Sequence, residues 1–212
     1  GLGDVYKRQC LAVDENGEEL DGDKILAIIA NYLKPQGKLA KDTIVATVMS
    51  NLGLKKYAEN NGITIKQTKV GDRYVLEEML KNGYNVGGEQ SGHVILLDYN
   101  PTGDGILTSL MLIKIMLEKK KSASELCKII KMYPQVLVNA KVSAEKKKDY
   151  ENDEEIQKAI KELEEEFSGN GRVLIRPSGT EPVIRVMLEG EDQAYLQTRA
   201  ENLAKLIEKK LK

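Results

Sequence analysis

The chain has 212 residues, of which 41% are apolar, enough to fill one large core or two ordinary ones. Charged residues make up 31% and nearly cancel to a net charge of -1, so the basic excess that holds nucleic acid by phosphate neutralisation is missing. The two distant cysteines, Cys10 and Cys127, argue against a disulfide framework or structural zinc and fit a reducing compartment, and the longest apolar stretch, 106–117, is too short and too interrupted to span a membrane.

The first nine residues, GLGDVYKRQ, show no clear period, no initiating Met and no basic-then-apolar leader, which suggests a truncated reading frame and no export. Cys10 to Val13 is a short apolar run, and Asn16-Gly17 signals a tight hairpin turn. Asp21 and Asp23 offer caps to a helix with Ile25, Ile28, Ile29 and Leu33 on one face, ended by Pro35 and Gly37. Residues 1–36 therefore read as the remnant of an α/β domain, with apolar surface exposed near Ile25 to Leu33 for want of its sheet partners.

From residue 41 two periods alternate. Thr43 to Met49 is a β-branched run of the kind covered on both faces, followed by a helix from about 51 to 59 and a second strand, Ile63 to Thr68. A helix over 72–81 carries Val75, Leu76, Met79 and Leu80 as its buried stripe. Strands begin again at Val86 and at Val94, a long helix runs from 105 to 118, and Ser122-x-x-Glu125 is a capping box for one more helix. This alternation predicts a mostly parallel α/β sheet domain over 37–133. Beyond Pro134 come a strand (135–142), a helix with Ile156, Ile160, Leu163 and Phe167, two strands (172–175 and 183–188) and a last helix, a small α+β domain over 134–212. The lysine runs 119–121 and 146–148 read as solvated helix ends.

Three segments are suited to chemistry. Arg176-Pro-Ser-Gly-Thr-Glu-Pro182 joins two strands. Ser178 and Thr180 bring hydroxyls, Gly179 lets the backbone approach closely, and Arg176 with Arg185 brackets the loop with forked cationic donors, as a phosphate needs. On composition alone a plain strand-to-strand turn is the simpler reading. Gly87-Gly-Glu-Gln-Ser-Gly-His93 joins two strands where such sheets bind ligands. Glu89 can accept sugar hydroxyls and Ser91 can give or take one, while His93, the one histidine, is by itself more simply a structural residue. In Val70-Gly-Asp-Arg-Tyr-Val75, Asp72 reads as a helix cap, and Arg73 is the alternative as an anion contact at a helix N-terminus. The segment 100–105 turns the chain into the long helix and carries no chemistry. No Ser/His/Asp set and no carboxylate cluster suited to Mg2+ stands out.

In this order the motifs resemble the phosphohexose mutase superfamily. RPSGTEP followed by Arg185 resembles the phosphate-binding loop of its fourth domain, and GGEQSGH the sugar-recognition loop of its third. Gln90 and the VGDRYV segment look more like the phosphoglucosamine mutase branch than the phosphomannomutase or phosphoglucomutase branches. The resemblance implies conversion of glucosamine 6-phosphate to glucosamine 1-phosphate through a phosphoserine, assisted by Mg2+, on the way to UDP-N-acetylglucosamine and the cell wall. It implies that Glu89, Ser91, His93 and Arg73 contact the sugar, and that Arg176, Ser178, Gly179, Thr180 and Arg185 hold phosphate. The partner implied is a small sugar phosphate in the cytoplasm, with neither nucleic acid nor membrane, and the family admits a homodimer at full length. Where the family has its Asp-rich metal loop this chain has Val5-Tyr-Lys-Arg-Gln9, which does not ligate Mg2+, and the phosphoserine domain has no counterpart. The expectation is an enzyme fragment inactive alone. The competing reading is a non-catalytic sugar-phosphate binding module.

Overall fold

The computed structural model describes residues 8–212, which form two compact units divided between Met132 and Tyr133.

In the first unit, β1 (Ala12–Val13) and β2 (Glu19–Leu20) pair antiparallel around the Asn16-Gly17 turn, where Asp14 Oδ1 accepts from the N–H groups of Asn16 and Glu18. Helix α1 (Gly22–Leu33) follows. The main sheet is built from β3 (Thr43–Thr47), β4 (Thr64–Thr68), β5 (Val86–Gly88) and β6 (Val94–Leu96) in the order β4-β3-β5-β6. β3 runs parallel to both β4 and β5, and β6 returns antiparallel beside β5. The parallel pairs need crossovers, supplied by α2 (Leu52–Asn60) and α3 (Asp72–Asn82). α4 (Gly105–Lys119) and the short α5 (Ala123–Cys127), opened by the Ser122/Glu125 capping box, complete the unit.

Alternation along β3 divides the core. Ile44 and Ala46 join α1, α2, α4 and α5 in one cluster, while Val45 faces Val75 and Met79 of α3, with Tyr84 and Ile95, in another. Two expectations are corrected here. Ile25, Leu26, Ile28 and Ile29 are fully or almost fully buried in the larger cluster, so α1 has its sheet and there is no break at residue 36. Its partners, among them Ile44, Val86 and Ile115, lie downstream in the chain. Leu80 is 61% exposed, because α3 lies on its sheet face alone and only its Val75/Met79 edge reaches the strands. On α4, Ile106, Leu110, Ile113 and Leu117 form an exposed stripe opposite buried Met111, Leu112 and Ile115.

The second unit is a three-stranded antiparallel sheet in the order β7-β9-β8, with β7 Gln135–Lys141, β8 Arg172–Pro177 and β9 Val183–Glu189. Helices α6 (Glu154–Glu166) and α7 (Gln193–Leu211) pack on one face. Ile156, Ile160 and Leu163 meet Leu196, Leu203 and Ile207 over Ile184, Val186 and Leu188. Asp153 and Asp192 cap the two helices through side-chain bonds to the N–H groups of Ile156 and Tyr195, each at 3.0 Å. The residues of β9 between those core positions point to the opposite face of the sheet.

Candidate functional site

In the first unit the chain runs from β3 outward to β4, then crosses to β5 on the other side of β3. Where the winding direction reverses, the loops leaving the strands part and leave a crevice at their carboxyl ends. A cleft of about 400 Å³ lies there, with Thr47 at the end of β3 and Met49 beyond it, Val70 beyond β4, and Glu89, Gln90 and Ser91 beyond β5 in its lining.

The loop 89–92 is tightly built. The N–H of Glu89 donates to the carbonyl of His93 at 2.8 Å and that of Gly92 to the carbonyl of Glu89 at 3.0 Å, with Gly92 at φ +93°. The glycines before it serve packing: a Cβ on Gly87 would lie 2.6 Å from Met79 Sδ and 2.8 Å from Val75 Cγ1, so α3 can rest on β5 only where β5 has no side chain. Gly88 likewise leaves room for the carbonyl of His93. Glu89 is oriented by the N–H of Gly71, which donates to Oε1 at 2.9 Å, and its Oε2 stands 3.8 Å from His93 Nδ1. Ser91 Oγ is 3.4 Å from the same nitrogen, so Glu89, Ser91 and His93 are gathered in one cluster. His93 is buried, and its Nε2 has no hydrogen-bond partner.

Arg73 is not in that cluster. Its side chain is 82% exposed and bonds Glu77 one turn along α3, Nε to Oε1 at 2.7 Å. Asp72 is not the cap: Gly71 stands at that position with φ +129°, while Asp72 is the first helical residue and pairs with Arg8 at 3.0 Å. A glycine was needed there for its dihedral angle, which composition does not announce.

In the second unit, Arg176 and Arg185 are directly opposite each other across the β8/β9 ladder, on the face away from the helices. The same face carries Arg172 opposite Glu189, paired at 2.7 Å. No carboxylate plays that part for Arg176 among the described residues, and burial first and Arg185 second lower its guanidinium pKa. Arg185 reaches Glu181 at 3.0 Å, and its Nε is buried without a partner. Thr180 and Gly179 are exposed at the loop tip, and a Cβ on Gly179 would meet nothing. Ser178 is buried and works inside the loop, its Oγ accepting from the N–H of Glu181 at 3.2 Å. Sequence reasoning missed Lys147. Far from being a solvated helix end, its Nζ donates to the carbonyls of Ser178 at 2.6 Å and Glu181 at 3.2 Å, tying down the loop. Nothing in the local lysine run marks it.

Among the described residues no group of three or more His, Cys, Asp or Glu is placed to hold a metal ion, so these residues do not fit Mg2+. The Val5-to-Gln9 segment lies largely outside the described residues.

The first unit thus carries a switch-point cleft with a glycine-bounded carboxylate loop, and the second a sheet that sets two arginines side by side. Residues 21–133 match the model of phosphoglucomutase/phosphomannomutase α/β/α domain III, and residues 137–206 that of the phosphoglucomutase/phosphomannomutase C-terminal domain; the chain belongs to this family. It is 60% identical over 201 residues to phosphoglucosamine mutases of Ruminiclostridium cellulolyticum and Caldicellulosiruptor saccharolyticus, matching 95% of this chain and 45% of each relative. It thus spans less than half the length of the curated relatives it matches. Among solved structures, Aspergillus fumigatus N-acetylphosphoglucosamine mutase superposes with a TM-score of 0.74 at 20% identity, covering 94% of this chain and 45% of that one. The same enzyme in complex with GlcNAc-6P and magnesium gives 0.73 at 20% identity, over 95% and 46%. At that identity the likeness bears on the fold.

Proposed function

We propose that this chain provides the sugar-recognition and phosphate-holding parts of a phosphoglucosamine mutase, which interconverts glucosamine 6-phosphate and glucosamine 1-phosphate. The observation that carries this reading is the 60% identity to curated phosphoglucosamine mutases along 95% of the chain. The site chemistry supports it. Glu89, already aimed by the Gly71 N–H, accepts sugar hydroxyls or the substrate ammonium, Ser91 adds one polar contact, and His93 backs Glu89 from within the fold. Arg73 reaches the substrate in this reading only after releasing Glu77.

On the second unit, Arg176 and Arg185 offer two guanidinium forks to a dianion, with Gly179 and Thr180 giving backbone and hydroxyl donors and Ser178 keeping the loop in shape. A phosphate there relieves the repulsion between the two cations, so binding is strongest where the apo site is least comfortable. The phosphoseryl group and Mg2+ belong, in this proposal, to parts of the enzyme outside these residues, and no step runs through a metal on this chain. No described helix is long and apolar enough to cross a membrane, and the proposal places the enzyme in the cytoplasm.

Calorimetric titration with glucosamine 6-phosphate, beside Arg176→Ala and Glu89→Gln, tests the assignment. Binding by the wild-type chain that is lost in Arg176→Ala and weakened in Glu89→Gln is the expected result. A folded wild type that takes up no ligand, or an Arg176→Ala variant that binds equally well, refutes it. Tighter binding of mannose 6-phosphate or glucose 6-phosphate would move the chain to a sister mutase.

A further inference from the structure

The first turn of α1 touches both loops that frame the cleft. On one side, the N–H of Gly22 donates to the carbonyl of Gln90 at 2.9 Å, and Gln90 Nε2 returns a bond to Asp21 Oδ2 at 3.3 Å. Contact there is so close that a Cβ on Gly22 would run into the carbonyl oxygen of Glu89 and lie 2.9 Å from the N–H nitrogen of Gly92. On the other side, Asp23 is fully buried, and its Oδ2 accepts from the N–H of Asn51 at 2.6 Å. Asn51 in turn caps α2 through Gly53, and the residues just before it, Thr47 and Met49, line the cleft at the end of β3.

The residues 21, 22 and 23 are consecutive, and Asp21 Oδ1 also caps α1 through the N–H of Lys24 at 3.0 Å. The turn is thus rigid, and each loop is pinned to it by bonds from a different residue. A carboxylate buried at 0% exposure is costly to place unless hydrogen bonds satisfy it, and its work here is to hold a loop 28 residues away in sequence. We infer that Asp21-Gly22-Asp23 is a positioning clasp that fixes the 48–51 loop and the 89–92 loop relative to one another, setting the width of the cleft and the placement of Glu89. The clasp rests on the proposed sugar-binding role of Glu89 only for its effect on ligand affinity. Its mechanical claim stands on the hydrogen bonds alone.

The test uses the 212-residue chain with Asp23→Ala, Asp23→Asn and Gly22→Ala, each first shown to be folded by circular dichroism and a cooperative melt. Amide hydrogen exchange is then followed at Asn51, Glu89 and Gly92. A clasp transmits, so Asp23→Ala is expected to speed exchange at Glu89 and Gly92 as well as at Asn51, by about tenfold. Gly22→Ala is expected to do the same at Asn51 as well as at 89–92. Asp23→Asn keeps an acceptor for Asn51 and is expected to restore near wild-type exchange, which keeps the claim testable if Gly22→Ala does not fold. Effects confined to 48–54 in Asp23→Ala and to 89–92 in Gly22→Ala would show two unrelated caps and overturn the inference. With glucosamine 6-phosphate as probe, both disruptive variants are expected to raise the Kd about tenfold. A wild type that does not bind it overturns the functional reading while the exchange result still decides the clasp.

Discussion

Replacing Arg176 with Gln is expected to move stability and anion affinity in opposite directions. Arg176 and Arg185 face each other across a ladder, and the sheet gives Arg176 no carboxylate comparable to Glu189 for Arg172. Like charges directly opposite on neighbouring strands cost roughly 0.2–1 kcal/mol. Arg176 is only partly buried, and Glu181 already relieves Arg185, so the lower half of that range applies at moderate salt. Arg176→Gln therefore gains up to about 1 kcal/mol at low ionic strength. The gain fades near 1 M sodium chloride, where screening acts within about 3 Å. Phosphate reverses the order: an anion at a hundred times its Kd adds about 2.7 kcal/mol to the wild type and far less to the variant. Urea denaturation followed through the amide signals of β8 and β9 reads this unit separately from the other. The variant is expected to be the more stable protein without phosphate and the less stable one with it. A variant less stable than wild type at low salt, or equal stabilisation of both by phosphate, would refute the argument that the arginine pair stores repulsion for a ligand.

Gly87→Ala is expected to cost about 1–3 kcal/mol in chemical denaturation, because its Cβ meets Met79, Val75 and, at 3.0 Å, the backbone oxygen of Val45. An unchanged midpoint would mean that α3 slides freely on its sheet. Lys147→Met is expected to weaken phosphate binding with little change in melting temperature, since it removes two bonds to loop carbonyls and no core contact; equal affinity would show that the loop holds its own shape. The hydroxyls of Ser122 and Ser124 hold the Glu15 carboxyl down at about 2. A depressed carboxylate contributes stability above its unfolded pKa and loses it as pH falls through the folded value, so this contribution is present at neutral pH and declines between about 4 and 2. Carboxyl NMR titration of Ser124→Ala is expected to move Glu15 upward toward the ordinary range.

Much of the fold was legible in the sequence because its signals are local. The Asn16-Gly17 hairpin, the Ser122/Glu125 capping box and the β-branched run 43–49, whose first five residues form β3, each announce themselves within a few residues. Of the candidate sugar contacts, Glu89, Ser91 and His93 are also near neighbours in the chain, and Glu89 and Ser91 gather at one ring nitrogen of His93, whereas Arg73 lies apart on Glu77. What stayed hidden depends on distance. Asp23 reads as one more capping residue until Asn51 is found against it, and Lys147 reads as solvated until the 178–181 loop is seen to fold back over it. The burial of α1 had the same cause, since β3, β5 and α4 all follow it in the chain.

The order β7-β9-β8 also fixes when the second unit can form. β9 is central yet is the last of the three strands along the chain, so during synthesis β7 and β8 have no ladder partner until 183–189 emerges. The β8/β9 hairpin, closed by the short loop 178–182, is local, and local pairings favour fast formation. β7 pairs with residues 42 to 54 positions away, Gln135 with Glu189 at one end and Lys141 with Val183 at the other. Closing that longer loop costs more chain entropy than closing the hairpin, and an unpaired β7 with half-exposed Leu137 is the kind of strand edge that invites association between incompletely folded chains.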